Sequence, residues 1–312
     1  MENKLLQVYL ALIFMIIMWS FSFVVVDIAV EFVPPLSIAF YRFIIASLMF
    51  IILDIYLRLK NKQKLNEVNE AITSPKFSKK DWILIFLASI AGVSFFFFAQ
   101  YTAIELIGPS LPALFVCLLA PIIISILALI FFKEKLNTLK IIGFIIATIG
   151  GFFLVTGGDL TTLAPESPSF VGYLFALITP LLWALYSTVT KKMTLGNSNL
   201  KILKFVAYLG AIELFLFVLL NDEFMIFIQN IPNLVVLLSA LYTGIGCYVI
   251  GYYIWQNSQL KLKSSKAASF LYIEPFITLL FSFLLQRSEI IAIWNIIGGI
   301  IVLIAVLIIN YN

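Results

Sequence analysis

The sequence predicts an all-α integral membrane protein with ten transmembrane helices in two inverted five-helix repeats and both termini cytoplasmic. Three observations predict it. Of 312 residues, 62 % are hydrophobic and 12 % charged, against about 45–50 % and about 25 % in an ordinary soluble domain. Ten stretches reach the roughly 20 apolar residues that a helix needs to cross the hydrocarbon. The positive charges then fall on one side of those stretches, as cytoplasmic loops require.

The apolar stretches cover about residues 5–30, 36–57, 82–104, 110–132, 136–156, 169–190, 200–220, 232–258, 266–286 and 290–310. The first follows Lys4, is too long for a signal peptide and lacks a small-residue cleavage pattern, so it is read as an uncleaved first span. The second runs into the longest connection, Arg58 to Asp81, which carries Lys60, Lys62, Lys64, Lys76, Lys79 and Lys80. That segment reads as a cytoplasmic loop or short surface helix. Lys133, Lys135 and Lys140 lie between the fourth and fifth spans, and Lys191, Lys192, Lys201 and Lys204 between the sixth and seventh. Lys261, Lys263 and Lys266 follow the eighth. With the N-terminus inside, 18 of the 20 Lys and Arg residues are cytoplasmic, the exceptions being Arg42 and Arg287. The outer loops carry Asp159, Glu166, Asp222 and Glu223 and no Lys. Nine or eleven spans would scramble this pattern.

The chain also repeats itself. At an offset of 154 residues Gly92 meets Gly246, Ser110 meets Ser264, Ala113 meets Ala267 and Pro121 meets Pro275. One residue further, Glu134 meets Glu289 and Gly143 meets Gly298. Matches among Gly, Ser, Ala and Pro carry weight because these residues have particular backbone or packing roles. The halves are then 1–157 and 165–312. An odd number of spans per half inverts the second, and inverted repeats place a solute site near the midplane between them.

The chain has no His, which removes Ser-His-Asp chemistry and His-rich zinc sites. No catalytic residues, cofactor, metal or nucleic-acid partner are expected. Cys117 and Cys247 stand singly in apolar stretches and read as small core residues.

The order of motifs resembles the drug/metabolite transporter superfamily, and within it the EamA-type ten-helix exporters, over essentially the whole length. The resemblance rests on Trp19-Ser20-Phe21-Ser22-Phe23, on Pro34-Pro35 with Tyr41-Arg42-Phe43, and on Ser110, Ala113 and Pro121 before Phe132-Lys133-Glu134-Lys135-Leu136. Gly143, Gly150 and Gly151 follow. In the second half Trp183, Tyr186, Ser264, Ala267, Pro275 and Gly298-Gly299 repeat the pattern. Ser20 stands where the family commonly has Gly, and Arg287-Ser288-Glu289 is looser than Lys133-Glu134. The resemblance implies export of amino acids or other small metabolites across the cytoplasmic membrane, through a central cavity lined by both halves. The solute would be neutral, zwitterionic or cationic, since no Lys lies deep in a span. A multidrug or cationic-compound exporter is the alternative within transport. An intramembrane lipid-modifying enzyme is the alternative outside it, and that would need a nucleophile near Glu213 or Glu274.

Ionisable residues inside a bilayer face a cavity or a partner. Glu274, next to Pro275, is the first candidate for coupling by proton or amine binding; facilitated diffusion is equally compatible with the sequence. Glu213 is the second, divided between cavity and structural partner. Arg42 is expected to pair with Asp27 or Glu31 across the outer vestibule, leaving an edge for a solute carboxylate. The other cavity candidates are Trp19, Ser20, Ser22, Tyr101, Trp183, Tyr186, Tyr242, Tyr248, Tyr252, Trp255 and Tyr272. Pro121, Pro180 and Pro275 are candidate helix breaks and gates. The Phe95–Phe98 run is expected to face lipid. The Gly residues mark close helix packing, within the chain or in a homodimer.

Overall fold

The structure is a computed structural model describing residues 2–65, 77–135, 137–156, 170–287 and 293–310. Lys76, Leu136, Asp159, Glu166, the repeat boundary at 157–165 and the pair Ser288 and Glu289 lie outside the described residues. The described elements are all helices. In chain order the apolar ones are α1 (Leu5–Ala29), α2 (Pro35–Leu57), α3 (Lys79–Ile107), α4 (Ser110–Phe132) and α5 (Thr138–Phe153). They continue with α6 (Phe170–Thr194), α7 (Asn199–Leu220), α8 (Leu234–Lys261), α9 (Ser264–Leu284) and α10 (Ile296–Ile309). All but α5 and α10 are long and apolar enough to cross a membrane, eight where the sequence predicts ten. The two shorter helices each adjoin a stretch outside the described residues.

Local chemistry sets several helix ends. At α3, the Ser78 hydroxyl accepts the Asp81 N–H at 3.2 Å while the Ser78 N–H donates to Asp81 Oδ2 at 2.8 Å, a reciprocal cap of two otherwise orphaned donors. At α8, the Asn233 side chain accepts the N–H groups of Val235 and Val236. The fourth helix stops at Lys133, whose left-handed backbone (φ 54°) swings Glu134 away from the helix axis.

Three helices change their winding. The backbone widens to π turns at Ile90–Ser94 in α3 and at Tyr242–Tyr252 in α8, and tightens to 3-10 at Ser269–Ile273 in α9. The last has a direct cause: Pro275 has no N–H to give Leu271, so the Glu274 N–H bonds to Leu271 O and the α-helix restarts at Glu274. The expected break is absent at the other two prolines, where α4 and α6 run on unbroken. At Pro180 the reason is visible, because the Thr179 hydroxyl donates to Ala176 O at 2.7 Å in place of the missing amide.

A large buried cluster joins α1–α4 with α6–α9. Alongside it α5 and α10 pack on each other through Phe144, Ala147, Val302, Ala305 and Ile309. Small residues permit this approach, as the sequence leads one to expect: a Cβ on Gly150 would lie 2.6 Å from Ile301 Cγ2. The outward faces carry exposed apolar side chains such as Ile130, Leu181, Leu220 and Leu307. A continuous surface of that kind suits lipid, not water.

Candidate functional site

A cavity lies where α1, α2, α3 and α4 meet α6, α8 and α9. Its walls include Trp19 and Ser22 from α1, Arg42 from α2, Phe96, Phe97 and Gln100 from α3, and Cys117 from α4. Trp183, Cys247, Tyr252 and Glu274 complete it from the other side. It holds about 40 Å³ of water-accessible space, room for a few waters, since one water needs about 10–15 Å³ on this measure. In this conformation little space is left between its side chains.

Aromatic rings make up much of the wall. Trp19 meets Trp183 edge-on at 5.3 Å, Tyr252 at 5.7 Å and Trp255 at 6.0 Å between ring centroids. Trp183 also stacks on Tyr186 at 5.3 Å, as their one-turn spacing allows. Hydrogen bonds hold the rings: Trp19 Nε1 donates to Cys247 O at 3.0 Å, Trp255 Nε1 to Ser187 Oγ at 3.1 Å, and Gln256 Nε2 to the Tyr186 hydroxyl at 2.8 Å. The two π turns touch here, because the Tyr252 hydroxyl donates to Gly92 O at 3.3 Å. Gly92 itself lies against the Tyr186 ring, only 2.1 Å from where a Cβ would sit. Wide turns of this kind recur at functional sites, where they re-aim side chains.

One carboxyl and one guanidinium group face this cavity. Glu274 is 3 % exposed, and its Oε2 accepts the Cys117 thiol at 3.2 Å. Its helix is tied to α1 by Ser20, whose hydroxyl donates to Glu274 O at 3.1 Å and whose carbonyl accepts from Thr278 at 3.2 Å. Ser20 is thus a brace behind the wall. Arg42 is also 3 % exposed. Its Nη1 donates to the Tyr101 hydroxyl at 2.6 Å, and its guanidinium lies 4.0 Å from the Phe97 ring centroid. The expected ion pair of Arg42 with Asp27 or Glu31 is therefore not formed. Those acids bind Arg287, Asp27 at 2.6 Å and Glu31 in a short contact, because the end of α9 reaches the end of α1 and Arg42 sits deeper.

Other expectations are also redistributed. The Phe95–Phe98 run does not simply face lipid: Phe95 is exposed, whereas Phe96 and Phe97 are buried in the cavity wall, since a helix turns consecutive residues about 100° apart. Glu213 is a structural partner outside the cavity, its oxygens accepting Ser89 and Ser94 hydroxyls at 2.6 Å each and so clasping the π turn of α3. Tyr242 bonds to Met18 O and Tyr248 to Leu203 O, behind the wall. Tyr272 packs with Phe144 in the α5–α10 cluster. Cys117 and Cys247 are buried in the core as expected, and they also line the cavity. Gln100 also lines the cavity, and an amide inside an apolar span is itself a signal in the sequence; the Phe and Cys positions offer none.

Charged latches flank the cavity on both sides. On the side carrying most of the Lys residues, Lys191 at the end of α6 pairs with Glu134 at 2.7 Å and donates to Ser264 Oγ at 2.6 Å. Glu134 also accepts the Ser264 N–H at 3.0 Å, and Lys140 donates to Ser265 Oγ at 3.0 Å. Burial pushes the Glu134 carboxyl up, but the bonds from Lys191 and Ser264 outweigh it and hold it below the usual carboxylate range. On the opposite side, Arg287 with Asp27 and Glu31 ties α9 to α1.

The EamA-like transporter family model matches the chain twice, over residues 6–156 and 170–311. An uncharacterized transporter of Archaeoglobus fulgidus is 24 % identical over 89 % of this chain and 88 % of its own. The uncharacterized transporter YyaM of Bacillus subtilis is 25 % identical over 97 % of this chain and 93 % of its own. Among solved crystal structures, one protein chain superposes with a TM-score of 0.69 at 16 % identity, covering 98 % of this chain and 97 % of that one. That likeness is one of fold.

Proposed function

The chain belongs to the EamA-like transporter family, part of the drug/metabolite transporter superfamily, and on that premise we propose that it exports amino acids or related small metabolites across the cytoplasmic membrane by alternating access. It is a membrane transporter of a small-molecule solute and not an enzyme. In the proposed topology ten spans form two inverted halves, 1–157 and 165–312, with both termini inside.

One observation carries the reading: one cavity takes its walls from both segments matched by the family, Trp19 to Cys117 from the first and Trp183 to Glu274 from the second. Rocking of one half against the other would open it to either side. The register of the halves lends support. Shifted by 154 residues, the wide turn Ile90–Ser94 falls inside the wide turn Tyr242–Tyr252. Salt links tie the two halves together on both sides of the cavity. Glu274, an acid in the cavity wall, can hold either a proton or an amine, and mutual exclusion at one carboxylate is the simplest means of proton-coupled exchange.

The full chain reconstituted in proteoliposomes tests this. Loaded with a broad panel of amino acids and amines under several imposed proton gradients, it should accelerate counterflow of at least one class. Movement of none would overturn the proposal.

A further inference from the structure

We propose that Arg42 and Glu274 are the two poles of one solute site, Arg42 taking the carboxylate and Glu274 the ammonium group of a free α-amino acid with an apolar side chain. The inference rests on the transport reading and adds which groups select the solute.

Arg42 is the starting point. A guanidinium cannot shed its proton, so a buried one needs an anion or a full set of acceptors. Arg42 has neither. Among the described residues it forms no ion pair, its Nη1 is spent on the neutral Tyr101 hydroxyl, and its Nε is buried without a hydrogen-bond partner. The acids at the end of α1 that could have neutralised it are engaged by Arg287. Phe97 under the guanidinium supplies a ring face, which orients the plane and leaves the charge uncancelled.

Glu274 is the complement. It is the acid among the cavity-lining residues, it comes from the other half of the chain, and it makes no ion pair with Arg42 or any other described cation. Its recorded side-chain partner is the weak Cys117 thiol donor. One wall thus presents a planar fork suited to a carboxylate, and another presents a carboxylate suited to an ammonium.

Charge accounting selects the ligand class. With Glu274 ionised, a simple carboxylate would satisfy Arg42 and place its charge with that of Glu274 in one small space. A simple amine would satisfy Glu274 and leave Arg42 bare. A zwitterion answers both and leaves the net charge of the cavity unchanged. In the same lining Trp19, Trp183, Tyr252 and Phe96 offer an apolar face to the side chain.

The test uses the full chain in proteoliposomes with three matched probes: L-leucine, 4-methylpentanoate, which lacks the ammonium, and 3-methylbutylamine, which lacks the carboxylate. In the wild type, both analogues should inhibit leucine counterflow at least about tenfold more weakly than leucine itself. Arg42→Gln should bring 3-methylbutylamine level with leucine, while Arg42→Lys should keep part of the preference. Glu274→Gln should instead bring 4-methylpentanoate level. The proposal is overturned if the analogues match leucine in the wild type, a result that needs no variant to fold, or if both variants weaken all three probes equally. If leucine is not exchanged while other solutes of a mixed panel are, this inference fails and the transport reading stands. If no solute moves, the transport reading itself fails.

Discussion

Replacing Glu274 by Gln keeps the size and one hydrogen-bonding oxygen of the side chain but removes the titratable carboxylate from the cavity wall. Transport by this variant should lose its dependence on pH between about 5.5 and 8, the range that His would normally serve in a protein that had one. Protein yield should stay near that of the wild type. A pH profile unchanged from the wild type would remove Glu274 from coupling. At Gly251 the issue is space: a Cβ there would lie 2.4 Å from Trp19 Nε1, the atom that bonds to Cys247 O. Gly251→Ala should therefore cost about 1–3 kcal/mol by overpacking, read as a lower unfolding midpoint in detergent. Gly196→Ala, with nothing within 4 Å of the new methyl group, serves as the control and should not show that loss.

At the level of single helices, the prolines separate by what replaces their missing N–H. Pro275 coincides with a change of winding that sets the direction of Glu274. Pro275→Ala restores a donor to Leu271 O, favours regular α winding and turns Glu274 relative to the cavity. Turnover should fall at least about tenfold, while helix content by circular dichroism is retained. Pro180→Ala should do much less, because Thr179 already occupies Ala176 O and α6 is already unbroken. Equal turnover in both variants would contradict this account of the broken ninth helix.

For the molecule as a whole, the two latches hold the halves together on opposite sides of the cavity. The protein supplies its own reporters, since its two cysteines, Cys117 and Cys247, are both free, buried and in the cavity wall. Glu134→Gln should release Lys191 and Ser264 and speed labelling of these thiols by a membrane-impermeant maleimide from the Lys-rich face. Arg287→Gln should speed labelling from the opposite face. The Glu134–Lys191 pair is the less exposed of the two, so Glu134→Gln should have the larger effect, because exposed ion pairs contribute little. Because the folded-state carboxyl of Glu134 titrates below its ordinary value, the stabilisation it supplies is present at neutral pH. It is lost as pH falls through that lowered value, so the Lys-rich face should remain closed across neutral pH and loosen in acid. Labelling that rises from pH 6 to pH 8 at constant thiolate fraction, about the span over which this latch should stay intact, would contradict that sign.

Much of this architecture is legible in the chain because it depends on local quantities. Hydrophobic length against a bilayer marks Phe170–Thr194 or Leu234–Lys261 as spans wherever they end up. The uneven placement of Lys residues and the recurrence of Gly, Ser and Pro at one offset need no contacts to be seen. The three candidate prolines are visible in the sequence, but which of them breaks its helix is not, since α4 and α6 run through Pro121 and Pro180. The partners of the charged groups are another matter. That Arg42 meets Tyr101, that Arg287 takes Asp27 and Glu31, that Glu213 clasps a π turn, and that Phe96 and Phe97 line the cavity all depend on which helix faces meet. A soluble helix displays its buried face as an apolar stripe, but helices apolar all round carry no such stripe. Which side of each helix turns inward is settled by close packing across the chain, and with it which charges remain free to hold a solute.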